Sequence, residues 1–471
     1  MKQLLCLMAL AVCAVLLPLT AQADGTEDLW QGSIETGGIK LHMVFHVVKA
    51  ADGKSAGTLD VPDQGAKGIA LLVKTNDREI LKIEVPSLGG SFEGKLNREG
   101  REAVGTWRQG GGELPLTLTK GGKLIEVRRP QTPKPPFSYA IEDVVFDSVP
   151  GVKLAGTLTL PRNRTGRVPT VLLIAGSGPH GRNEVILMHE PFLVLADYLT
   201  RRGFGVLRYD KRGLGKSTGS YGQATTADFA DDAEAGVAYL KTRKEVDGSK
   251  IGLIGHSEGG VIAPLIASRN KDVAFIVLMA GTGMNGEEIL YRQSALIAKA
   301  DGAQDDALAF NRSLQAKLFA VVREEKDPVA AKQRIKEVID TMWAGLTEEQ
   351  RTGLKSEAPL YAQGNAVLSP WMRYFLTYDP VPALQKVHCP VLALNGSKDL
   401  QVPPKEDLAA IGAALKAGGN TDYTLTELPN LNHLFQNCTT GSPTEYGDIE
   451  ETIAPVALKT MGDWIAAHTR K

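Results

Sequence analysis

The stretch Ile251-Gly252-Leu253-Ile254-Gly255-His256-Ser257-Glu258-Gly259-Gly260 constrains this chain more than any other. An apolar, strand-like run meets Gly-x-Ser-x-Gly, and small and apolar residues (Val261, Ile262, Ala263, Leu265, Ile266, Ala267) follow at once. The glycines allow a strand-to-helix turn tight enough to expose the Ser257 hydroxyl at the edge of a sheet. Pro264 falls early in the ensuing helix, where a missing N–H does least harm. The turn also aims the Glu258 amide N–H at a neighbouring oxyanion, with added help from the helix N-terminus. The pattern recurs at Gly215-Lys216-Ser217-Thr218-Gly219, but no strand directly precedes that copy and no apolar helix follows, so it reads as a loop.

The surrounding sequence has the grammar this turn requires. Strands are expected at 171–175, 206–209, 251–255, 274–279, 391–395 and 424–428, with helices at 192–202 and 226–243 between them. Apolar strands alternating with amphipathic helices give an α/β fold, a mostly parallel sheet covered on both faces. Residues 284–386 break the alternation and read as helices only, with one stripe at Ala307, Phe310, Leu314, Leu318 and Val321 and another at Ile335, Val338, Ile339 and Met342. A helical insertion just past a strand end reads as a lid. Its aromatic and thioether residues Trp343, Trp371, Met372, Tyr374, Phe375 and Tyr378 are candidate pocket walls, with Trp371, Tyr374 and Phe375 foremost.

A nucleophilic serine needs a base, and the base needs an orienting acid. Strand 391–395 runs into Gly396-Ser397-Lys398-Asp399, which sets Asp399 in a loop at a strand end, and strand 424–428 runs into Pro429-Asn430-Leu431-Asn432-His433. The order Ser257, Asp399, His433 is the one associated with this turn. His256 flanks the serine, His180 and His189 precede it, and His388 and His468 lack a matching strand-end position. Strand 171–175 ends in Gly176-Ser177-Gly178-Pro179-His180-Gly181, a loop that presents the Ser177 N–H opposite that of Glu258 as an oxyanion hole. The same hexapeptide spells G-x-G-x-x-G, with Asp210 at the next strand end as a ribose-binding acid. A dinucleotide turn, however, opens its helix within the glycines, and here Pro179 interrupts the turn and Pro191 starts a later helix. The triad chemistry needs neither a metal nor an organic cofactor.

Residues 30–118 differ in character. Ile39, Leu41, Met43, Phe45 and Val47 alternate with Lys40, His42, Val44 and His46, and further short runs at 69–74, 80–85, 103–107 and 114–118 are divided by glycine turns. This spacing predicts a small antiparallel barrel or sandwich over 24–128. His42 and His46 share one face and read as solvated side chains rather than metal ligands. Four prolines between 130 and 136 make 129–137 a semi-rigid linker ahead of a catalytic domain over 138–471.

Lys2, the apolar run 4–17 and Ala21-Gln22-Ala23 form the charged start, apolar middle and cleavage site of a secretory signal peptide over 1–23, so the expected location is periplasmic or secreted, with no membrane anchor after cleavage. Cys389 and Cys438 then remain, as one disulfide or as small buried residues. With 53 Lys+Arg against 54 Asp+Glu, the chain lacks the basic excess of a nucleic-acid binder.

From about residue 137 to the C-terminus the chain resembles the α/β-hydrolase superfamily, specifically bacterial serine esterases and serine-aminopeptidase-like hydrolases. The phrases that carry the resemblance are Arg208-Tyr209-Asp210-Lys211-Arg212-Gly213-Leu214-Gly215-Lys216-Ser217, Gly255-His256-Ser257-Glu258-Gly259 and Leu394-Asn395-Gly396-Ser397-Lys398-Asp399-Leu400-Gln401-Val402. Ala175 stands where many members have histidine. The resemblance implies Ser257 as nucleophile, Asp399 as acid, His433 as base, and Ser177 and Glu258 as oxyanion donors. The expected activity is cleavage of small to medium carboxylic esters. A peptidase for short peptides, or a binding protein on the same fold, are the alternatives. The β domain looks similar to domains that precede such hydrolases in exported bacterial proteins.

Overall fold

A computed structural model describes residues 27–469 apart from 37–38, 50–54, 77–78, 111, 125–126 and 355. The expected signal peptide lies outside the described residues.

The first eight strands, β1 (Glu27–Thr36), β2 (Ile39–Lys49), β3 (Ser55–Val61), β4 (Ala66–Asn76), β5 (Ile80–Val85), β6 (Gly90–Leu96), β7 (Glu102–Gln109) and β8 (Gly112–Lys120), form a closed antiparallel barrel. Strand β1 returns to β8 through Trp30↔Lys120 and Gln31↔Thr119. Alternation along the strands turns Leu41, Met43, Phe45 and Val47 inward, where they meet Trp30, Leu59, Leu81, Phe92 and Trp107 in one apolar core. His42 and His46 do not project alone into solvent. His42 sits beside Asp63 (Nδ1 to Oδ2, 3.0 Å), and His46 beside Asp60 (3.4 Å).

The remaining strands are β9 (Tyr139–Asp147), β10 (Lys153–Pro161), β11 (Val168–Ile174), β12 (Gly205–Tyr209), β13 (Val246–His256), β14 (Val273–Met279), β15 (Val391–Gly396) and β16 (Tyr423–Leu428). They form a sheet in the order β16-β15-β14-β13-β11-β12-β10-β9, parallel except where β10 pairs with β12 and β9. The helices α1 (Pro191–Arg201), α2 (Thr226–Thr242), α3 (Glu258–Ala267), α11 (Pro404–Ala417) and α12 (Pro455–Thr469) belong to this domain. One face of the sheet packs Leu172, Leu253, Ile276 and Ala393 against Phe229, Val237, Ile262 and Ile411; the other packs Val171, Ile254, Val277 and Leu392 against Leu195, Leu199, Met461 and Ile465. Between β14 and β15 lie only helices: α4 (Gly286–Ala300), α5 (Asp305–Glu324), α6 (Pro328–Ala344), α7 (Glu348–Leu354), α8 (Ala358–Ala366), α9 (Pro370–Thr377) and α10 (Val381–Leu384). The α5 and α6 stripes meet each other through Leu314, Leu318, Ile335 and Ile339, so the insertion has a core of its own.

The proline-containing segment between the domains is fastened down. The Arg129 guanidinium donates to the carbonyls of Leu187 (2.7 Å), Gly447 (2.9 Å) and Ile449 (3.2 Å). Gln131 donates to Ile453 O (2.7 Å) and accepts from the Thr452 and Ile453 amides (2.5 and 2.9 Å). From the barrel, Lys40 reaches Asp448 at 2.9 Å and His42 approaches it at 3.5 Å. The barrel is thus seated on the segment that follows the His433 loop. Cys389 and Cys438 are free thiols, and burial pushes their pKa values up to about 12 and about 11.

Candidate active site

Ser177, Ser257, Glu258, Asp399 and His433 all follow strands at the carboxyl end of the sheet, where open α/β folds bind their ligands. Ser257 follows β13 and immediately precedes α3, with φ 52° and ψ −114°. That region is costly for a side-chain-bearing residue and persists only where the surroundings enforce it. They do so here: a Cβ on Gly255 would lie 1.9 Å from Gly259 O, and one on Gly259 would lie 2.0 Å from Ile174 O. The Ser257 amide donates to Met279 O (2.8 Å) on the adjacent strand, and its side chain stays partly accessible between buried His256 and Glu258.

Asp399 and His433 meet across two neighbouring strand ends. His433 Nδ1 donates to Asp399 Oδ2 at 2.8 Å, and the other carboxylate oxygen accepts from the amides of Gln401 and Val402, each at 2.8 Å. Asp399 is only 2% exposed and His433 3%, so solvent does not compete for this bond. A carboxylate only accepts, so the proton on His433 sits at Nδ1 and leaves Nε2 as the proton acceptor. The loop is held by Asn432, whose Oδ1 accepts from the Leu434 and Gln436 amides at 3.0 Å each.

The two candidate oxyanion donors are bound together by a lysine. Lys211 Nζ donates to Gly176 O (2.6 Å) and to Glu258 Oε2 (3.1 Å). In a trans peptide the C=O and N–H point in opposite directions, so fixing the Gly176 carbonyl fixes the Ser177 N–H of the same peptide unit. Glu258 Oε1 accepts from Thr226 Oγ1 (2.8 Å) and from Trp371 Nε1 (2.6 Å), so a lid helix is tied to the residue after Ser257. Trp371 stacks on Phe375 at 5.1 Å, and Phe375 packs with Ile289 and Val402 beside the Asp399 loop. Tyr374 instead stacks on Tyr378 (5.6 Å) and feels the charges of Arg269, Asp228 and Asp231.

The glycine-rich loop is shaped by further polar contacts. His180 Nε2 donates to Ser177 O at 2.8 Å, and Arg182 forks onto Asp210 at 3.0 and 2.7 Å. Asp210 is thereby committed to closing the loop, and no helix opens until Pro191. Ser217 of the second Gly-x-Ser-x-Gly is buried, donating to Asp210 O (2.7 Å) and accepting from the Ala155 amide (2.9 Å). Among the described residues, no group of three or more His, Cys, Asp or Glu is arranged to hold a metal ion, and no helix is long and apolar enough to cross a membrane. Sequence reasoning passed over Glu184. Its carboxylate accepts from the Gly176 amide at 2.5 Å and pairs with His256 Nδ1 at 3.0 Å. Nothing in a lone loop glutamate announces a partner 72 residues away.

A mostly parallel sheet with helices on both faces, a serine turn at its centre and an Asp–His pair beyond it define an α/β hydrolase. The chain belongs to the family whose model is described as Hydrolase_4, serine aminopeptidase, S33, which matches residues 179–437. Esterase EstD of Thermotoga maritima is 26% identical over 303 residues, covering 64% of this chain and 61% of that protein. The uncharacterized protein YfhR of Escherichia coli K12 is 29% identical over 148 residues, 31% of this chain and 49% of its own. The chain therefore spans less than two thirds of either relative. Among solved structures, Est1E from Butyrivibrio proteoclasticus with ferulic acid bound aligns with TM-score 0.41 and 16% identity, over 70% of this chain and all of that one. The Pyrococcus furiosus esterase Pf2001 aligns with TM-score 0.40 and 17% identity, over 70% of this chain and 93% of that one.

Proposed function

We propose that this protein is an exported serine hydrolase that cleaves carboxylic esters of small to medium acyl groups through Ser257, His433 and Asp399. The observation that carries the reading is the tautomer imposed on His433: Nδ1 donates to a buried carboxylate at 2.8 Å, on the loop that neighbours the strained Ser257 turn. In this mechanism His433 Nε2 takes the Ser257 proton as Oγ attacks the ester carbonyl, and Asp399 stabilises the imidazolium that forms. The Ser177 and Glu258 amides receive the oxyanion, each donor contributing about 3–4 kcal/mol to the transition state. The protonated base then releases the alcohol, and water attacks the acyl-enzyme by the same route in reverse.

Ester cleavage is favoured over aminopeptidase action by the state of Glu258. Recognition of a free amino terminus calls for a carboxylate presented to the substrate, and the Glu258 carboxylate is buried and engaged instead by Lys211, Thr226 and Trp371. The Thermotoga relative is named as an esterase, which points the same way. Export rests on the Lys2 to Ala23 leader pattern. The test is a panel of p-nitrophenyl acyl esters beside aminoacyl and dipeptidyl p-nitroanilides. Turnover confined to the esters, strongest at short and medium chains, is expected. Comparable kcat/KM on the anilides would transfer the assignment to a peptidase.

A further inference from the structure

His256 and Glu184 are buried at the centre of the site, 4% and 1% exposed, and take no part in the acyl transfer just described. Their contacts reach three of the loops that the transfer needs. His256 precedes Ser257 in the chain, and its Nε2 lies 3.0 Å from the backbone carbonyl of His433. A carbonyl only accepts, so Nε2 carries a proton. Its Nδ1 lies 3.0 Å from Glu184 Oε1, the same oxygen that receives the Gly176 amide at 2.5 Å. We infer that the buried Glu184–His256 ion pair is a positioning device that locks the base loop and the oxyanion loop to the nucleophile turn; the inference rests on the serine-hydrolase reading.

An imidazole that donates from both nitrogens is protonated, and a carboxylate is its natural counter-charge. Burial alone would depress the pKa of His256, but Glu184 outweighs it and holds it above the ordinary value. Burial likewise opposes the charge on Glu184, yet His256 holds its carboxyl below the usual range. The other Glu184 oxygen has no hydrogen-bond partner among the described residues, so the pair is not replaced by a wider network. Glu184 also keeps φ at 52°, a left-handed conformation rarely adopted by a residue with a long side chain. The other charged and titratable groups facing the pair are Asp399, which favours the imidazolium, His180, which faces Glu184 and itself feels Lys211, and the His433 ring at 4.9 Å between centroids.

The test uses the full chain, Glu184→Gln, and turnover of p-nitrophenyl acetate from about pH 6 to 9. Without the counter-charge, burial holds His256 below its ordinary value, so the ring is neutral across this range and its single proton cannot serve both partners. The variant is expected to lose about 10- to 100-fold in kcat at every pH of the range, with KM within about twofold. Glu184→Asp, which keeps the charge, restores part of the lost kcat. A Glu184→Gln variant with wild-type kcat and only a lower Tm overturns the positioning role. If that variant does not fold, His256→Asn, too short to reach the His433 carbonyl, must lose kcat at unchanged KM; an unaltered kcat overturns the proposal. Fluorophosphonate labelling of the wild type is run beside these assays. Its absence overturns the serine-hydrolase reading itself, whereas normal labelling with an unchanged variant profile overturns only the positioning role.

Discussion

Replacing Asp399 with asparagine changes one atom, and the structure dictates which way the new amide faces. Asp399 Oδ1 accepts from the Gln401 and Val402 amides at 2.8 Å each, so an asparagine at this position keeps its oxygen there. Its NH2 group then takes the place of Oδ2, 2.8 Å from His433 Nδ1. Two donors cannot face each other, so the His433 proton moves to Nε2, the nitrogen that receives the serine proton in the proposed mechanism. Enforcing the wrong tautomer costs about 10⁴ in kcat, or about 5.4 kcal/mol of barrier. The assay is kcat and KM for p-nitrophenyl acetate at pH 7–8, with a thermal melt to show that the fold survives. KM is expected to stay within about threefold, because the substrate does not touch Asp399 in this mechanism. A folded Asp399→Asn variant within about tenfold of wild-type kcat would refute the tautomer argument.

Other consequences follow from the packing around the site. Burial raises the Asp407 carboxyl to about 7, while its Oδ1 accepts from Thr282 Oγ1 (2.6 Å) and the Gly283 amide (3.0 Å) ahead of the lid. A folded-state pKa above the unfolded value near 3.9 means stability present at low pH and lost as pH rises through about 7. Asp407→Asn removes this dependence, so urea titrations should show the variant gaining roughly 2–3 kcal/mol on the wild type between pH 5 and pH 8; an equal difference at both pH values would contradict it. Arg129→Ala withdraws a charged donor from the carbonyls of Leu187, Gly447 and Ile449, and on the order of 3 kcal/mol of stability should go with it. A calorimetric scan checks this, and an unchanged Tm would mean that the barrel is seated by other contacts.

The parts legible in the sequence were those with a local signature. The β13–turn–α3 unit writes its glycines next to its serine, the barrel writes its alternation along β2, and the lid writes two stripes at helical spacing. The strands β9 and β10 went unread for a physical reason. Leu154-Ala155-Gly156-Thr157-Leu158-Thr159-Leu160 buries every one of its residues, yet its glycine and threonines look like neither an apolar run nor a clean alternation. Proline content suggested a spacer at 129–137, whereas Arg129 and Gln131 are bonded to main-chain atoms more than 300 residues away. Bonds from side chains to distant backbone leave no pattern in composition or period. The same holds for Glu184, Lys211 and Glu258, whose pairings arise only once the sheet has brought the ends of β11, β12 and β13 together.

The central claim is that Ser257 is an activated nucleophile, and a fluorophosphonate probe tests it most directly. The protein and its Ser257→Ala variant are treated with the probe, digested, and the label is located by mass spectrometry. The account predicts one labelled site, at Ser257, in the wild type and none in the variant. A wild-type protein that is folded but unlabelled, or labelled at another serine, would contradict it.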